Sequence, residues 1–255
     1  MRVSVVRLLV LTVLAAAVAA VASAASTPPR PLAEKCGNVS GVTSQPFWLE
    51  AADGVHLYAV EAGSGSVGVV LAHESPADLC GWLPYMASLA GTGVRVLAFD
   101  FRGFGDSDRP AATRDFIAYD RDFRAAVARL QGDGAKKVFL FGASFGAATA
   151  LTYAPTLPLA GVVSFSGETQ IPGAGLNGLA ALPRLRAPLL IVDARHDRYL
   201  SVPDALRLLR RAGSKDKRTA FYPGGFHGWD LVEDAPYAAR VRALVLGWLR
   251  AHSAG

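Results

Sequence analysis

The chain has 255 residues, 51% of them hydrophobic, with 26 Lys and Arg against 21 Asp and Glu and only two cysteines. That is enough apolar material for one large domain or two small ones, and it excludes a disordered chain, a collagen and a disulfide-dense miniprotein. Charged residues make up 18%, and the basic excess is dispersed apart from the short run 215–218, which argues against a dedicated nucleic-acid binder.

The N-terminus reads as a targeting segment. Arg2 and Arg7 give a short positive start, 8–21 is uncharged, and Ala22-Ser23-Ala24 supplies the small residues that a signal peptidase accepts before Ala25. The expectation is a signal peptide over 1–24 and a protein that is secreted or associated with the cell envelope. The competing reading is a retained anchor, because no charge stands between Arg7 and Arg30 and about 18 apolar residues begin to span a bilayer. The consecutive small residues favour cleavage, with no stable membrane span left afterwards. Without 1–24 the chain keeps 24 basic and 21 acidic residues, so its charge says little about partners. Export also makes two thiols in one chain into partners. Cys36 and Cys80 are expected to form a disulfide that closes a loop of about 45 residues and ties the Pro-rich extension, 25–45, to the body; the alternative is two buried free thiols. Two cysteines with no His pair nearby cannot make a zinc site, so no metal is expected.

From residue 46 onward, strand-like and helix-like segments alternate without repeats or a linker, which favours a single domain over 46–255. The runs 47–51 and 55–61, joined by a turn at Asp53-Gly54, predict an antiparallel hairpin. Buried strands are predicted at 67–72, 94–99, 137–141, 161–165, 188–192 and 219–222, and helices at 82–90, 115–131, 145–154, 203–212 and 236–251. Strands and helices taking turns imply crossover connections, hence an α/β fold with a mainly parallel central sheet, an N-terminal antiparallel hairpin and helices on both faces. Such sheets place ligands at the carboxyl ends of their strands. The stretch 63–68 matches G-x-G-x-x-G but precedes a strand instead of opening a helix, so no dinucleotide cofactor is expected.

The strongest chemical signal is Gly142-Ala143-Ser144-Phe145-Gly146, a G-x-S-x-G sequence between a predicted strand and a predicted helix. A serine forced into that tight turn projects its hydroxyl above the sheet edge, and the helix N-terminus supplies free amides. Ser144 is the candidate nucleophile. It needs a base oriented by an acid. His227, in the glycine-containing loop after the last strand, is the candidate base, whereas His56 lies in the first hairpin, His252 in a tail expected to be solvated, and His196 in an exposed loop. The loop after 188–192 offers Asp193 and Asp197. Asp197, farther beyond the strand, is preferred as the acid.

With Ser144, Asp197 and His227 in that order, each after a separate strand, the chain resembles the α/β-hydrolase superfamily over about residues 46–251. Asp100-Phe101-Arg102-Gly103-Phe104-Gly105-Asp106-Ser107 is similar to the family's D-x-R-G-x-G-x-S turn, which shapes the pocket wall. His73-Glu74-Ser75-Pro76 is similar to its H-G-x-P oxyanion segment, and the resemblance implies an oxyanion hole made by the backbone N–H groups of Ser75 and Phe145, with His73 in a structural role. Glu74 departs from that pattern, because its carboxylate would repel an oxyanion if turned inward. In some members the acid follows the preceding strand, which makes Glu168 the alternative to Asp197. Only about twenty residues, 166–187, stand where enclosed members insert a helical cap. The resemblance therefore implies a minimal lid, and it argues against haloalkane dehalogenases and epoxide hydrolases, which it also associates with an aspartate nucleophile.

The expectation is a cofactor-independent serine hydrolase cleaving small or extended carboxylic esters through an acyl-enzyme, with no nucleic-acid partner. The alternatives are a peptidase of prolyl oligopeptidase type, a cofactor-free perhydrolase, and, outside the enzymes, a non-catalytic acyl-binding protein on the same scaffold.

Overall fold

The computed structural model describes residues 27–37, 41–42 and 44–254; the expected signal peptide and its cleavage site lie outside the described residues. Ten strands run in chain order: β1 Phe47–Glu50, β2 His56–Ala62, β3 Val67–Ala72, β4 Arg95–Phe99, β5 Lys137–Ala143, β6 Gly161–Phe165, β7 Gln170–Ile171, β8 Leu176–Asn177, β9 Leu189–Ala194 and β10 Lys217–Tyr222. The helices are α1 Leu32–Cys36, α2 Leu83–Ala90, α3 Thr113–Phe116, α4 Tyr119–Gly132, α5 Phe145–Tyr153, α6 Gly178–Ala181, α7 Val202–Arg211 and α8 Ala238–Ser253. Eight strands form one sheet in the order β1-β2-β4-β3-β5-β6-β9-β10. The pairs β1–β2 and β2–β4 are antiparallel and all the others parallel, as the hairpin followed by crossovers requires.

Alternation along the strands divides the core in two. Val69 and Leu71 of β3, with Phe139 and Phe141 of β5, face one layer, where Leu83, Met86 and Leu89 of α2 and Val241, Val245 and Trp248 of α8 cover them. Val70, Ala72 and Leu140 face the other, against Phe123 and Val127 of α4, Leu151 of α5 and Leu208 of α7. Strands buried on both sides read as near-continuous apolar runs, which is why β3, β5 and β9 were legible in the sequence.

Three features depart from the sequence reading. The helix expected over 115–131 is broken into α3 and α4. Arg102, whose side chain is fully buried, donates to the carbonyl oxygen of Asp115 at 2.7 Å and pairs with Asp122 and Asp53, taking a carbonyl that a continuous helix would have given to its own amide. The tail histidine is not solvated. His252 Nδ1 bonds the Trp248 carbonyl at 2.7 Å and Nε2 bonds Asp216 at 2.9 Å, fixing the end of α8 to the turn before β10. The stretch 166–187 holds no helical cap, but it is not featureless: β7 and β8 pair as a small hairpin, and α6 packs on α5.

The N-terminal extension is anchored at several points. Cys36 and Cys80 are bridged, with Cα atoms 5.4 Å apart. The adjacent Lys35, its side chain 1% exposed, lies 2.8 Å from Asp78 and 3.0 Å from the buried Asp100. Arg30 grips Asp106 with two nitrogens, and the Tyr58 hydroxyl donates to the Arg30 carbonyl. Asp100 also accepts the Leu79 and Asp106 amides, so the turn after β4 is built around one carboxylate that the extension neutralises. Among the described residues, no helix is long and apolar enough to cross a membrane.

Candidate active site

Ser144 is the single residue between β5 and α5, and its backbone sits at φ +49°, ψ −113°, a region that costs a non-glycine residue about 1–3 kcal/mol. The flanking glycines make this turn possible. A Cβ on Gly142 would meet the Gly146 backbone at 2.5 Å, and one on Gly146 would lie 2.6 Å from the His73 carbonyl oxygen. Their absence lets the first turn of α5 close onto β5 and onto the loop leaving β3. That loop carries Ser75, exposed and followed by Pro76, which has no N–H to offer. Phe145 is the first residue of α5, so its amide has no acceptor within the helix. The two amides named from sequence thus belong to segments packed against each other at the carboxyl edge of the sheet, beside Ser144. Phe104, from the glycine-rich turn after β4, lies over both Phe145 and His73 and forms part of the wall.

His73 is fully buried and neutral, burial holding its pKa down. The Phe101 amide donates to its Nε2 at 2.9 Å, which places the ring proton on Nδ1, 2.8 Å from the Glu74 carbonyl oxygen. With both nitrogens engaged it braces the loop that bears Ser75.

Asp197 follows β9 in a loop stitched to the exit of β10 by Arg195 N–H to the Tyr222 carbonyl and His196 N–H to the Gly224 carbonyl. Its Oδ1 accepts the Tyr199 and Leu200 amides at 2.7 and 3.3 Å, and its Oδ2 lies 2.7 Å from His227 Nδ1. Burial works against ionisation of Asp197, but the His227 and Tyr199 bonds prevail and hold its carboxyl below the usual range. For His227, burial would lower the pKa, yet the bond to Asp197 and its charge raise it. Glu168 stands close enough to feel both groups electrostatically, but the imidazole bonds Asp197. The Tyr199 ring, 57% exposed, sits 4.6 Å from the His227 ring, at the solvent side of the site.

The loop that carries His227 is locked from below. Trp229 packs on Trp82 and fills the space over Gly81, where a Cβ would collide with the indole. Gly228, at φ +57°, has no room for a Cβ because the Glu74 carboxylate lies against it. Glu74 therefore points at the His227 loop. Its Oε2 is enclosed without a hydrogen-bond partner, and burial pushes its carboxyl up to about 7. In the sequence, Glu74 stands out only as a departure from the H-G-x-P pattern, and Asp193 as the less favoured of two acids. Nothing local marks Ser166, which among the described residues joins Ser144 as a non-glycine residue at positive φ, +54°, and donates to Asp193. The clue available in the sequence was a pair of acids four residues apart just beyond a strand. Among the described residues, no group of three or more His, Cys, Asp or Glu side chains is placed to hold a metal ion.

Comparison with known proteins agrees with this architecture. The model of the alpha/beta hydrolase family matches residues 69–253. Epoxide hydrolase B of Mycobacterium tuberculosis is 34% identical over 117 residues, 45% of this chain and 32% of that protein; epoxide hydrolase A of the same organism is 40% identical over 98 residues, 37% of this chain and 30% of that one. The chain thus spans about a third of the length of the curated relatives it matches. Among solved structures, an esterase of Pyrococcus furiosus superposes with a TM-score of 0.70 at 19% identity, covering 87% of this chain and 97% of its own. A monoacylglycerol lipase of Paleococcus ferrophilus gives 0.63 at 20% identity, covering 77% and 99%. At such identities these likenesses describe the fold.

Proposed function

The chain belongs to the alpha/beta hydrolase family, and on that basis we propose that it is a secreted serine hydrolase that cleaves carboxylic esters through an acyl-enzyme. The observation that carries the proposal is the Asp197–His227 bond on the same sheet edge as the strained Ser144: a proton held on Nδ1 leaves the Nε2 lone pair free to act as a base. Ser144 Oγ attacks the ester carbonyl while Nε2 takes its proton. The tetrahedral oxyanion is met by the Ser75 and Phe145 amides. Collapse returns the proton from Nε2 to the departing alcohol and leaves an acylated Ser144. Water, deprotonated by the same nitrogen, then releases the acid and restores the serine.

A serine nucleophile favours esters over the epoxides that some relatives are named for. Attack of a serine oxygen on an oxirane carbon would leave an alkyl ether, which has no carbonyl for water to attack, and the enzyme would stall after one event. The short segment over 166–187 and the exposed Tyr199 support a site open enough for extended acyl groups.

The test is labelling with a fluorophosphonate probe, followed by peptide mapping and a panel of p-nitrophenyl esters and peptide anilides. Labelling at Ser144 with ester turnover is the expected result. Preferential anilide cleavage would instead make the protein a peptidase, and peracid formation from a carboxylic acid and peroxide a perhydrolase. An unlabelled Ser144 without turnover, in a protein that still binds acyl chains, would leave a carrier on a hydrolase scaffold. Secretion is tested separately by the N-terminus of the mature protein, expected at or near Ala25.

A further inference from the structure

Behind the Asp197–His227 pair lies a second carboxyl group that the reaction just described does not use. Asp193, at the end of β9, is completely buried. Its Oδ1 accepts the Ser166 hydroxyl and the Ala194 amide, both at 2.9 Å, while its Oδ2 is enclosed and has no donor. Asp197, four residues on, is turned back toward the end of β9 by its own amide, which donates to the Ala194 carbonyl at 3.2 Å. Asp197 has each oxygen already served, Oδ1 by two amides and Oδ2 by the imidazole.

Two carboxyl groups in one enclosed space do not both ionise, because the second charge would be both desolvated and repelled. Which one keeps the proton follows from the donors around each. Asp197 has an imidazole and two amides directed at its charge; Asp193 has one hydroxyl and one amide, and an oxygen with nothing to accept. A proton on Asp193 Oδ2 resolves both difficulties, since it removes the second charge and gives the orphaned oxygen a donor's role. The Ser166 hydroxyl, brought to Asp193 by a backbone at φ +54° and an N–H bonded to the Val192 carbonyl, also favours the Asp197 charge. A strained backbone kept at this point is hard to explain by packing alone.

We propose that Asp193 is a positioning residue whose carboxylic acid group hydrogen-bonds the Asp197 carboxylate, holding it against His227 and moderating the basicity of the imidazole. The inference rests on the serine hydrolase reading for its catalytic meaning, but the shared proton itself does not. The charged and titratable groups facing Asp193 are Asp197 from its own loop, His227 from the loop after β10, and the Tyr237 phenol from the start of α8; Ser166, from the exit of β6, is neutral. Burial, followed by the Asp197 charge, drives the Asp193 carboxyl well above its ordinary range. When it finally ionises, the added negative charge further favours imidazolium at His227 and repels Asp197, so the pair loosens at alkaline pH.

Three measurements on Asp193→Asn and Asp193→Ala test this. The first is the infrared C=O stretch of protonated carboxylic acids at neutral pH, where Glu74 also contributes, so the wild-type minus Asp193→Asn difference is expected to show the loss of one such band. The second is the NMR titration of His227. Asp193→Ala removes the donor to Asp197 and should raise the imidazole pKa, whereas Asp193→Asn, whose amide still donates, should stay near the wild-type value. The third is the pH profile of kcat/KM on a p-nitrophenyl ester. Asp193→Asn should keep at least a tenth of the wild-type activity and lose the alkaline limb, while Asp193→Ala should fall about a hundredfold. If the difference shows no carboxylic-acid band lost in Asp193→Asn, or that variant's profile superimposes on the wild type through the alkaline limb, the proposal is wrong. Loss of the band in a protein whose Ser144 takes no label would uphold the shared proton and defeat only the hydrolase reading.

Discussion

Replacing Asp197 by asparagine separates the geometry of the site from its electrostatics, and the structure fixes which way the new amide must face. Oδ1 accepts two backbone amides, from Tyr199 at 2.7 Å and Leu200 at 3.3 Å, so only a carbonyl oxygen is tolerated there. The amide nitrogen is left facing His227 Nδ1, at the place where Oδ2 now lies 2.7 Å from it. Two donors cannot share that line, so the imidazole proton moves to Nε2, where it blocks the lone pair that should take the Ser144 proton. In the Ser-His-Asp enzymes, tautomer inversion of this kind costs roughly 10⁴-fold in kcat, or about 5 kcal/mol of barrier. The raised pKa of His227 also loses its support from the Asp197 bond and charge, so the acid limb of any remaining activity should move to lower pH. The assay is kcat/KM on a p-nitrophenyl ester from pH 5 to 9, about the range in which an imidazole titrates, with circular dichroism to establish folding. Glu168→Gln, beside the site but unbonded to the imidazole, should change activity by less than about tenfold and act mainly on substrate preference. A fall of less than about tenfold in Asp197→Asn together with a collapse in Glu168→Gln would refute the reasoning and move the acid to Glu168.

Ser144→Ala should leave folding intact and lower ester turnover by several orders of magnitude, read by the same assay; near-normal activity would overturn the nucleophile assignment. The disulfide closes a loop with a sequence separation of 44, for which chain entropy gives about 4 kcal/mol, so urea unfolding of Cys36→Ser/Cys80→Ser should show a loss of that order, and an unchanged midpoint would contradict it. Lys35→Met strands the buried Asp100 carboxylate without its cation and should cost about 3–5 kcal/mol in the same assay; a loss under about 1 kcal/mol would mean the cluster carries little. Glu74 has a folded-state pKa raised to about 7 by burial, with His227, Asp230 and Asp197 as its charged neighbours. Its carboxyl thus binds its proton more tightly in the folded state, so it adds stability at low pH that is lost as pH rises from about 4.5 towards 7. Glu74→Gln should flatten that part of the stability–pH curve, and an identical curve would show that Glu74 is not held neutral by the fold.

The sequence alone determined the chain order of the eight strands of the main sheet and the turn that carries Ser144, because both are written locally. Doubly buried strands require unbroken apolar runs, and the turn at Ser144 requires glycines at fixed offsets, since Gly142 and Gly146 each clear space for a neighbouring backbone. The pairing of Cys36 with Cys80 was also legible, there being no other thiol in the chain. What only the tertiary structure decided are relations between residues far apart in sequence. The break between α3 and α4 depends on Arg102, which takes a helical carbonyl from outside the helix. The five-residue α1 is too short to hold by itself and exists because Lys35 and Cys36 are fastened to the body. Position beyond the strand already favoured Asp197 over Glu168, but the 2.7 Å contact of its carboxylate with His227 Nδ1 across the sheet edge is supplied only by the fold. The same holds for the burial of Asp193 and Glu74. Their retention of protons follows from enclosure by Ser166 and Asp197 in one case and by the Gly228–Trp229 loop in the other, and burial is a property of the assembled fold.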